Sequence, residues 1–112
     1  MAAFTTIKNP GLHFNTKLYT GNGSTQSLTG VGFQPDFTWI KRRDSSAGHK
    51  LTNSIRGTDK QLVSNNTNAE GSDSNILTAF GTDGFSVGNN SDVNANSGTF
   101  VAWNWKANGG TG

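Results

Sequence analysis

Residues that could do chemistry are few in this chain and form no catalytic pattern. The histidines are His13, in an early predicted strand, and His49, beside a predicted loop, while Glu70 is the single glutamate. A pair of carboxylates for acid–base catalysis would have to come from the aspartates, which all lie in or beside turn sequences, where Asp caps backbone groups. Serine is plentiful, but no nucleophile elbow or spaced motif supports a hydrolase triad. We therefore expect no enzymatic activity and no cofactor.

The strongest candidate for a metal site is a calcium loop. In segment 92–98, DVNANSG, oxygen-bearing side chains occupy alternate positions before a glycine, as they do in calcium-binding loops. The glycine comes one place late, and Trp103 stands at the twelfth position, where a bidentate Glu is needed. We favour the alternative, an Asn-rich loop whose side chains bond to its own backbone. The sequence therefore predicts no metal site.

One basic run, KRR at 41–43, ends the strongest predicted strand and is followed by Asp44. It is either a solvated strand end or an anchor for an acidic partner surface, since arginine forks recognise carboxylates. Chain termini and exposed strand ends also offer unpaired backbone groups that can extend a partner's sheet. The candidate partner contacts are Ala2, Ala3, Phe4, Lys8, Lys41, Arg42 and Arg43.

The composition predicts a shallow, β-rich core. Gly, Asn, Thr and Ser make up nearly half of the 112 residues, whereas Leu, Ile, Val and Phe together number 22. Gly and Asn suit turns, Thr suits half-buried strands, and residues that favour helices are sparse. Shallow cores are completed by disulfides, metals or neighbouring subunits, and the chain has no cysteine. We therefore expect a homo-oligomer.

Charge and hydropathy exclude two kinds of partner. The formal net charge of +2 is too small for nucleic-acid binding by counterion release. No apolar stretch approaches the length needed to cross a bilayer, and no charged start precedes an apolar run. We expect neither a nucleic-acid partner nor a membrane partner, and no signal peptide.

Short strand-like runs between turn residues predict an all-β fold, a single antiparallel β-sandwich with a jelly-roll-like architecture and seven to nine strands. Segment 59–66 is compatible with either a strand or one helical turn, and 65–75 and 89–98 are predicted as polar loops. Pro35 removes one ladder hydrogen bond, which predicts that the strand 33–42 starts at a sheet edge. The predicted strands are 3–8, 12–20, 24–28, 33–42, 49–55, 76–80, 85–88 and 99–106.

Two local features complete this prediction. The turn 81–84, GTDG, predicts a hairpin with glycine at a positive φ. The chain divides into an N-terminal arm with the first strand (1–15), which could contact a partner, a β-sandwich domain (16–107) and a Gly-rich tail (108–112).

The tryptophans allow two interpretations. Strand alternation places Trp103 and Trp105 on one face with Val101, and Trp39 on one face with Phe37. They could form an aromatic platform for a sugar ring. We favour a place in the core, because the chain has few other bulky apolar residues.

Five segments in order carry a family resemblance: 19–28, 32–42, 55–57, 82–88 and 100–107. Their order and spacing resemble an uncharacterised domain that recurs in bacteriophage virion proteins, notably of phages that infect cyanobacteria and marine bacteria. The resemblance covers roughly residues 16–107 and brings no catalytic residues with it.

The resemblance implies a structural role in the virion. We expect a capsid decoration (cement) protein, a trimer on the capsid surface that clamps neighbouring copies of the major capsid protein. The alternative is a tail, fibre or capsid-surface module that binds a receptor or a glycan.

Overall fold

Frequent turn residues divide the chain into short strands. The computed structural model describes residues 10–107, and within them there are nine strands, a 3₁₀ turn at Pro10–Leu12 and one short helix, α1 (Ser91–Asn94). The strands are β1 (Phe14–Thr20), β2 (Gln26–Leu28), β3 (Phe37–Arg42), β4 (Lys50–Asn53), β5 (Lys60–Val63), β6 (Gly71–Ser72), β7 (Leu77–Gly81), β8 (Gly84–Val87) and β9 (Thr99–Trp105). No helix in this part of the chain is long and apolar enough to cross a membrane.

The strands form two antiparallel sheets. The larger has the order β1-β9-β3-β4-β5-β6, and the smaller has the order β2-β8-β7. The predicted all-β, antiparallel class is therefore confirmed. The sheets enclose a core cluster to which both contribute, made of Tyr19, Leu28, Val31, Phe33, Ile40, Ile76, Leu77, Phe85, Val87, Val93, Phe100 and Ala102.

Tyr19 contacts both sheets within this core. Its ring stacks on Phe100 with ring centroids 5.2 Å apart and meets Phe85 of the smaller sheet edge-on at 6.3 Å. Its hydroxyl donates a 2.7 Å hydrogen bond to the carbonyl of Val93. Burial raises the pKa of this hydroxyl far above its ordinary value, so the group acts only as a neutral donor.

Several core positions of the larger sheet hold polar side chains. The hydroxyl of Thr38 donates to the Asn104 carboxamide oxygen at 3.0 Å, and the Asn104 amide donates to the Asn15 carbonyl at 3.2 Å. Such pairing offsets the cost of removing polar groups from water. The buried polar side chains are Thr38, Thr52, Gln61, Asn94 and Asn104.

Three predictions about single elements are settled by the sheet. The start of β3 does not lie at a sheet edge, because β3 is flanked by β9 and β4. Since β3 begins after Pro35, the proline removes no hydrogen bond from the ladder. Segment 59–66 contains a strand, β5, rather than a helical turn. The predicted polar loop 65–75 contains the two-residue strand β6, which pairs with β5 at Lys60 and Gln61.

The predicted hairpin β7–β8 is present, but the predicted positive φ at a turn glycine is wrong. Neither Gly81 nor Gly84 has a positive φ. Gly84 is buried, and a Cβ there would collide with the backbone carbonyl of Leu28 in the adjacent strand. Glycine is needed at position 84 because two backbones approach closely.

Asp83, in the turn of this hairpin, holds the loop between β2 and β3 by hydrogen bonds. Its carboxylate accepts hydrogen bonds from the amides of Gly30, at 3.0 Å, and Gly32, at 2.7 Å. Both glycines have positive φ, 86° and 95°, so the loop is shaped to present these two amides. The hydrogen bonds lower the pKa of Asp83, and Lys17 adds a smaller effect in the same direction.

Acid should weaken this attachment. The pKa of Asp83 is lower in the folded state than in the unfolded state. The carboxylate therefore contributes its full stabilisation of the fold above the ordinary Asp pKa of about 4, and this stabilisation is lost as the pH falls through the folded-state pKa. Asp83→Asn is therefore expected to flatten the loss of stability below about pH 5. Urea unfolding at a series of pH values measures this acid dependence. Asp59→Asn is the control, since the contact shown for that exposed carboxylate is a 3.8 Å ion pair with Lys60. An unchanged acid dependence in the Asp83 variant would contradict this role.

Candidate functional site

Strand alternation gives the larger sheet two unlike faces. Ile40, Phe100 and Ala102 point into the core cluster, and the residues between them point the other way, on what we term the outer face. The register pairs Trp39 with Trp103 and Phe37 with Trp105 across β3 and β9. The outer face consists of Phe14, Thr16, Leu18, Thr20, Phe37, Trp39, Lys41, Leu51, Asn53, Lys60, Leu62, Ser72, Thr99, Val101, Trp103 and Trp105.

The favoured prediction that the tryptophans lie in the core is therefore wrong. All three lie on the outer face: Trp105 is 37% exposed, and Trp39 and Trp103 are half-buried. The physical reason is register. Smaller or polar side chains such as Thr38 and Asn104 occupy the inward positions, where the smaller sheet approaches.

The aromatic rings of the outer face touch one another. Phe14 and Phe37 flank Trp105 with centroid distances of 5.0 and 5.1 Å, and Trp39 meets Trp103 edge-on at 5.4 Å. These are ordinary separations for interacting rings. The rings therefore form two groups on β1, β9 and β3, Phe14–Trp105–Phe37 and Trp39–Trp103, which together we term the aromatic strip.

Much of this strip and its surroundings is open to solvent. Phe14 is 39% exposed, Leu18 57% and Leu62 37%. Together with Trp105, they are four of the six large apolar side chains that are exposed in the described part of the chain. Single exposed apolar residues are common, but a contiguous patch marks an interaction site.

The charge on the outer face is one-sided. Its strand positions, all within residues 10–107, include two lysines, Lys41 and Lys60, and no carboxylate. Lys60 donates to the hydroxyl of Ser72 at 2.7 Å. A surface complementary to this face would therefore be apolar with acidic groups at its rim.

A cleft of about 450 Å³ opens where β3 ends. Two basic side chains reach it, Lys41 from the outer face and Arg42 from the opposite side of the strand. Arg42 forms a 2.8 Å ion pair with Asp44 and lies 5.8 Å from the centre of the Phe100 ring. The hydrogen bond from Arg42 lowers the pKa of Asp44.

Three of the predicted partner contacts, Lys41, Arg42 and Arg43, lie within the described residues, and the first two line the cleft. Lys41 and Arg42 lie on opposite faces of β3, and Arg43 is exposed in the loop that follows, its amide bonded to the carbonyl of Thr99 at 2.7 Å. The other predicted contacts, Ala2, Ala3, Phe4 and Lys8, lie outside the described residues, as do the predicted strand 3–8 and the tail 108–112.

The segment considered as a calcium loop is organised around Asn94. This side chain is fully buried; its amide donates to the carbonyls of Gly88, at 2.9 Å, and Ser24, and its oxygen accepts from the amide of Asn22 at 3.0 Å. The favoured alternative, a loop whose side chains bond to its own backbone, is wrong for Asn94, because this side chain binds Asn22, Ser24 and Gly88, which lie outside the segment. Residues 10–107 contain no group of three His, Cys, Asp or Glu placed to hold a metal ion.

The apolar members of the outer face, above all Phe14, Leu18 and Leu62, were not predicted as functional residues from the sequence. A signal was present. Strands β3 and β9 carry apolar residues at both inward and outward positions, a pattern typical of strands covered on two sides. One face is covered by the smaller sheet, so the pattern predicts a cover for the other.

Comparison with known proteins gives a family and no function. A family described as a domain of unknown function (DUF7483) matches residues 9–112. No curated protein and no solved structure matches the chain. Since the family match spans nearly the whole sequence, the chain belongs to the DUF7483 family.

Proposed function

We propose that this domain is a non-catalytic assembly module that docks another protein on the outer face of its six-stranded sheet. One observation carries the proposal. The rings of the aromatic strip are half-buried or, for Phe14 and Trp105, exposed, while polar side chains such as Thr38 and Asn104 are buried on the core face of the same strands. Exposing Trp and Phe while burying Thr and Asn is unfavourable for an isolated domain. It is favourable once a partner covers the strip.

The size of the face suits such a partner. The six strands have 7, 7, 6, 4, 4 and 2 residues; at about 3.3 Å per residue and about 4.8 Å between strands, they span about 480 Å². A stable interface buries about 800 Å² on each partner. The outer face therefore supplies more than half of an interface of ordinary size, with the surrounding loops as its rim, and its aromatic residues are of the kind found in many binding hot spots.

The specific form of this proposal is the capsid decoration protein expected from the resemblance to virion domains. The partner is then the major capsid protein, and the protein is a trimer on the capsid surface. Repetition over a symmetric shell would make modest interfaces effective. Within residues 10–107, the strand positions of the outer face carry lysines and no carboxylate, which further favours a partner with an acidic rim.

This role predicts that the purified protein binds expanded capsids and raises the temperature at which they break, because a ligand of the assembled state stabilises it by mass action. Co-sedimentation and thermal rupture measure the two effects, and quantitative mass spectrometry of the virion gives the copy number. Copies comparable in number with the major capsid protein support decoration. A copy number typical of a tail protein, or no binding to capsids, contradicts it.

Glycan binding is a second candidate, and two observations favour it. The tryptophans lie outside the core, as a sugar platform requires, and the cleft at the end of β3 is lined mostly by polar side chains. This candidate places the ligand in the cleft rather than across the whole outer face.

A further inference from the structure

The cleft at the end of β3 has the chemistry of a binding site rather than of a gap between loops. Besides Lys41 and Arg42, the cleft is lined by Ser45, Ser46, Ala47, His49 and Asn65. Among residues 10–107, no Asp or Glu belongs to this lining. The lining therefore combines positive charge with side chains that can bind hydroxyl groups.

One wall of the cleft, formed by His49 and Asn65, is held by hydrogen bonds. The amide of His49 donates to the Asn65 oxygen at 3.1 Å, and the His49 carbonyl accepts from the amide of Ser64 at 3.1 Å. Since the Asn65 oxygen is engaged, its NH₂ group is the part that can serve a ligand. Fixed walls lower the entropy cost of binding.

An aromatic ring stands at the rim of the cleft. The imidazole of His49 lies 6.5 Å from the Trp39 ring, centre to centre, at an angle of 41°. Flat rings of this kind stack against the apolar faces of sugars as well as against one another. The cleft thus joins the aromatic strip of the outer face to a polar, cationic recess.

Taken together, the geometry points to a binding site for an acidic sugar. The volume, about 450 Å³, is within the usual range for small-ligand pockets, roughly 300–1,000 Å³. The carboxylate would pair with Lys41, the hydroxyls with Ser45, Ser46 and Asn65, and the ring would lie against His49. This inference deepens the second candidate function, glycan binding, and does not depend on the assembly role.

The site predicts discrimination by charge. Titration of the ¹⁵N-labelled protein with D-glucuronate, D-glucose and sulfate, followed by NMR, should show saturable shifts at Ser45, Ser46, His49 and Asn65 with glucuronate alone. We expect a dissociation constant on the order of 1 mM, typical of a single sugar unit held by a few polar contacts. Titration with a glucuronate-containing disaccharide distinguishes a glycan chain from a free sugar acid as the natural ligand. Tighter binding of the disaccharide than of glucuronate indicates a glycan chain, and equal binding indicates the free sugar acid.

A matched pair of variants tests the assigned cation. Lys41→Gln should weaken glucuronate binding about tenfold or more, since it removes a charge-assisted contact. Lys106→Gln removes the same charge at an exposed position beyond the far end of β9 and should leave the affinity unchanged. Equal binding of glucose would exclude the role of Lys41, equal binding of sulfate would reduce the site to an unselective anion site, and no shifts with any probe would refute it. None of these results bears on capsid binding, which is measured separately.

Discussion

Leu18→Glu is expected to reduce binding of the domain to its assembly partner at least a hundredfold while leaving the domain folded. Leu18 is 57% exposed on the outer face and lies outside the core cluster, so the glutamate remains hydrated in the isolated domain. In the complex it would be an unpaired charge against an apolar surface, a change that costs about 3 kcal/mol or more. Co-sedimentation with expanded capsids measures the affinity.

The control places the same charge on the other sheet. Thr78 is exposed in β7, and Thr78→Glu should bind as the unmodified protein does. Both variants should unfold within about 0.5 kcal/mol of that protein, as is usual for surface substitutions. Loss of binding in both variants would indicate a general charge effect, and retention in both would exclude the outer face as the interface.

Gly84→Ala is expected to lower the free energy of unfolding by about 3 kcal/mol or more, because overpacking against a fixed backbone cannot be relieved by a rotamer change. The new Cβ would collide with the carbonyl of Leu28, which is held in β2 by its pairing with Phe85. For a domain of this size the melting temperature should fall by about 12 °C or more.

Gly81→Ala is the matched control for this substitution. Gly81 pairs with Gly84 across the same hairpin, and a Cβ at position 81 meets its nearest atoms at 3.7 Å, which is ordinary contact. Its stability should change by less than about 1 kcal/mol. If the two alanine variants proved equally stable in urea unfolding, the close packing of β2 on β8 would be wrong.

The sequence predicted the fold well because its local signals agree. Turn residues such as Asn22 and Asp83 mark strand ends, and strand alternation correctly separated Trp39 from Ile40 and Trp103 from Asn104. The least accurate prediction concerned the start of β3. There the chain turns after Pro35, and the amide of Asp36 donates to the Trp105 carbonyl at 2.9 Å, a long-range contact that no local pattern reports.

The candidate site was harder to predict, because alternation gives two faces without saying which one is inside. That choice depends on where the smaller sheet docks, which is set by contacts distant in sequence, such as the ring of Tyr19 against Phe85. The cleft has the same origin: Lys41 and Asn65 meet only through the pairing of β3, β4 and β5. The basic run 41–43 was visible in the sequence, but its proximity to Asn65 was not.

Hydroxyl-radical footprinting of the protein, free and within the assembled particle, tests the central claim most directly. In the particle, oxidation of Phe14, Leu18 and Trp105 should fall severalfold, while Leu12 and Ile55, exposed but outside the outer face, serve as internal references. Protection of the outer face in the particle alone is the predicted result. Equal oxidation in the two states, or protection already complete in the free protein, would contradict the proposal that a partner covers the aromatic strip.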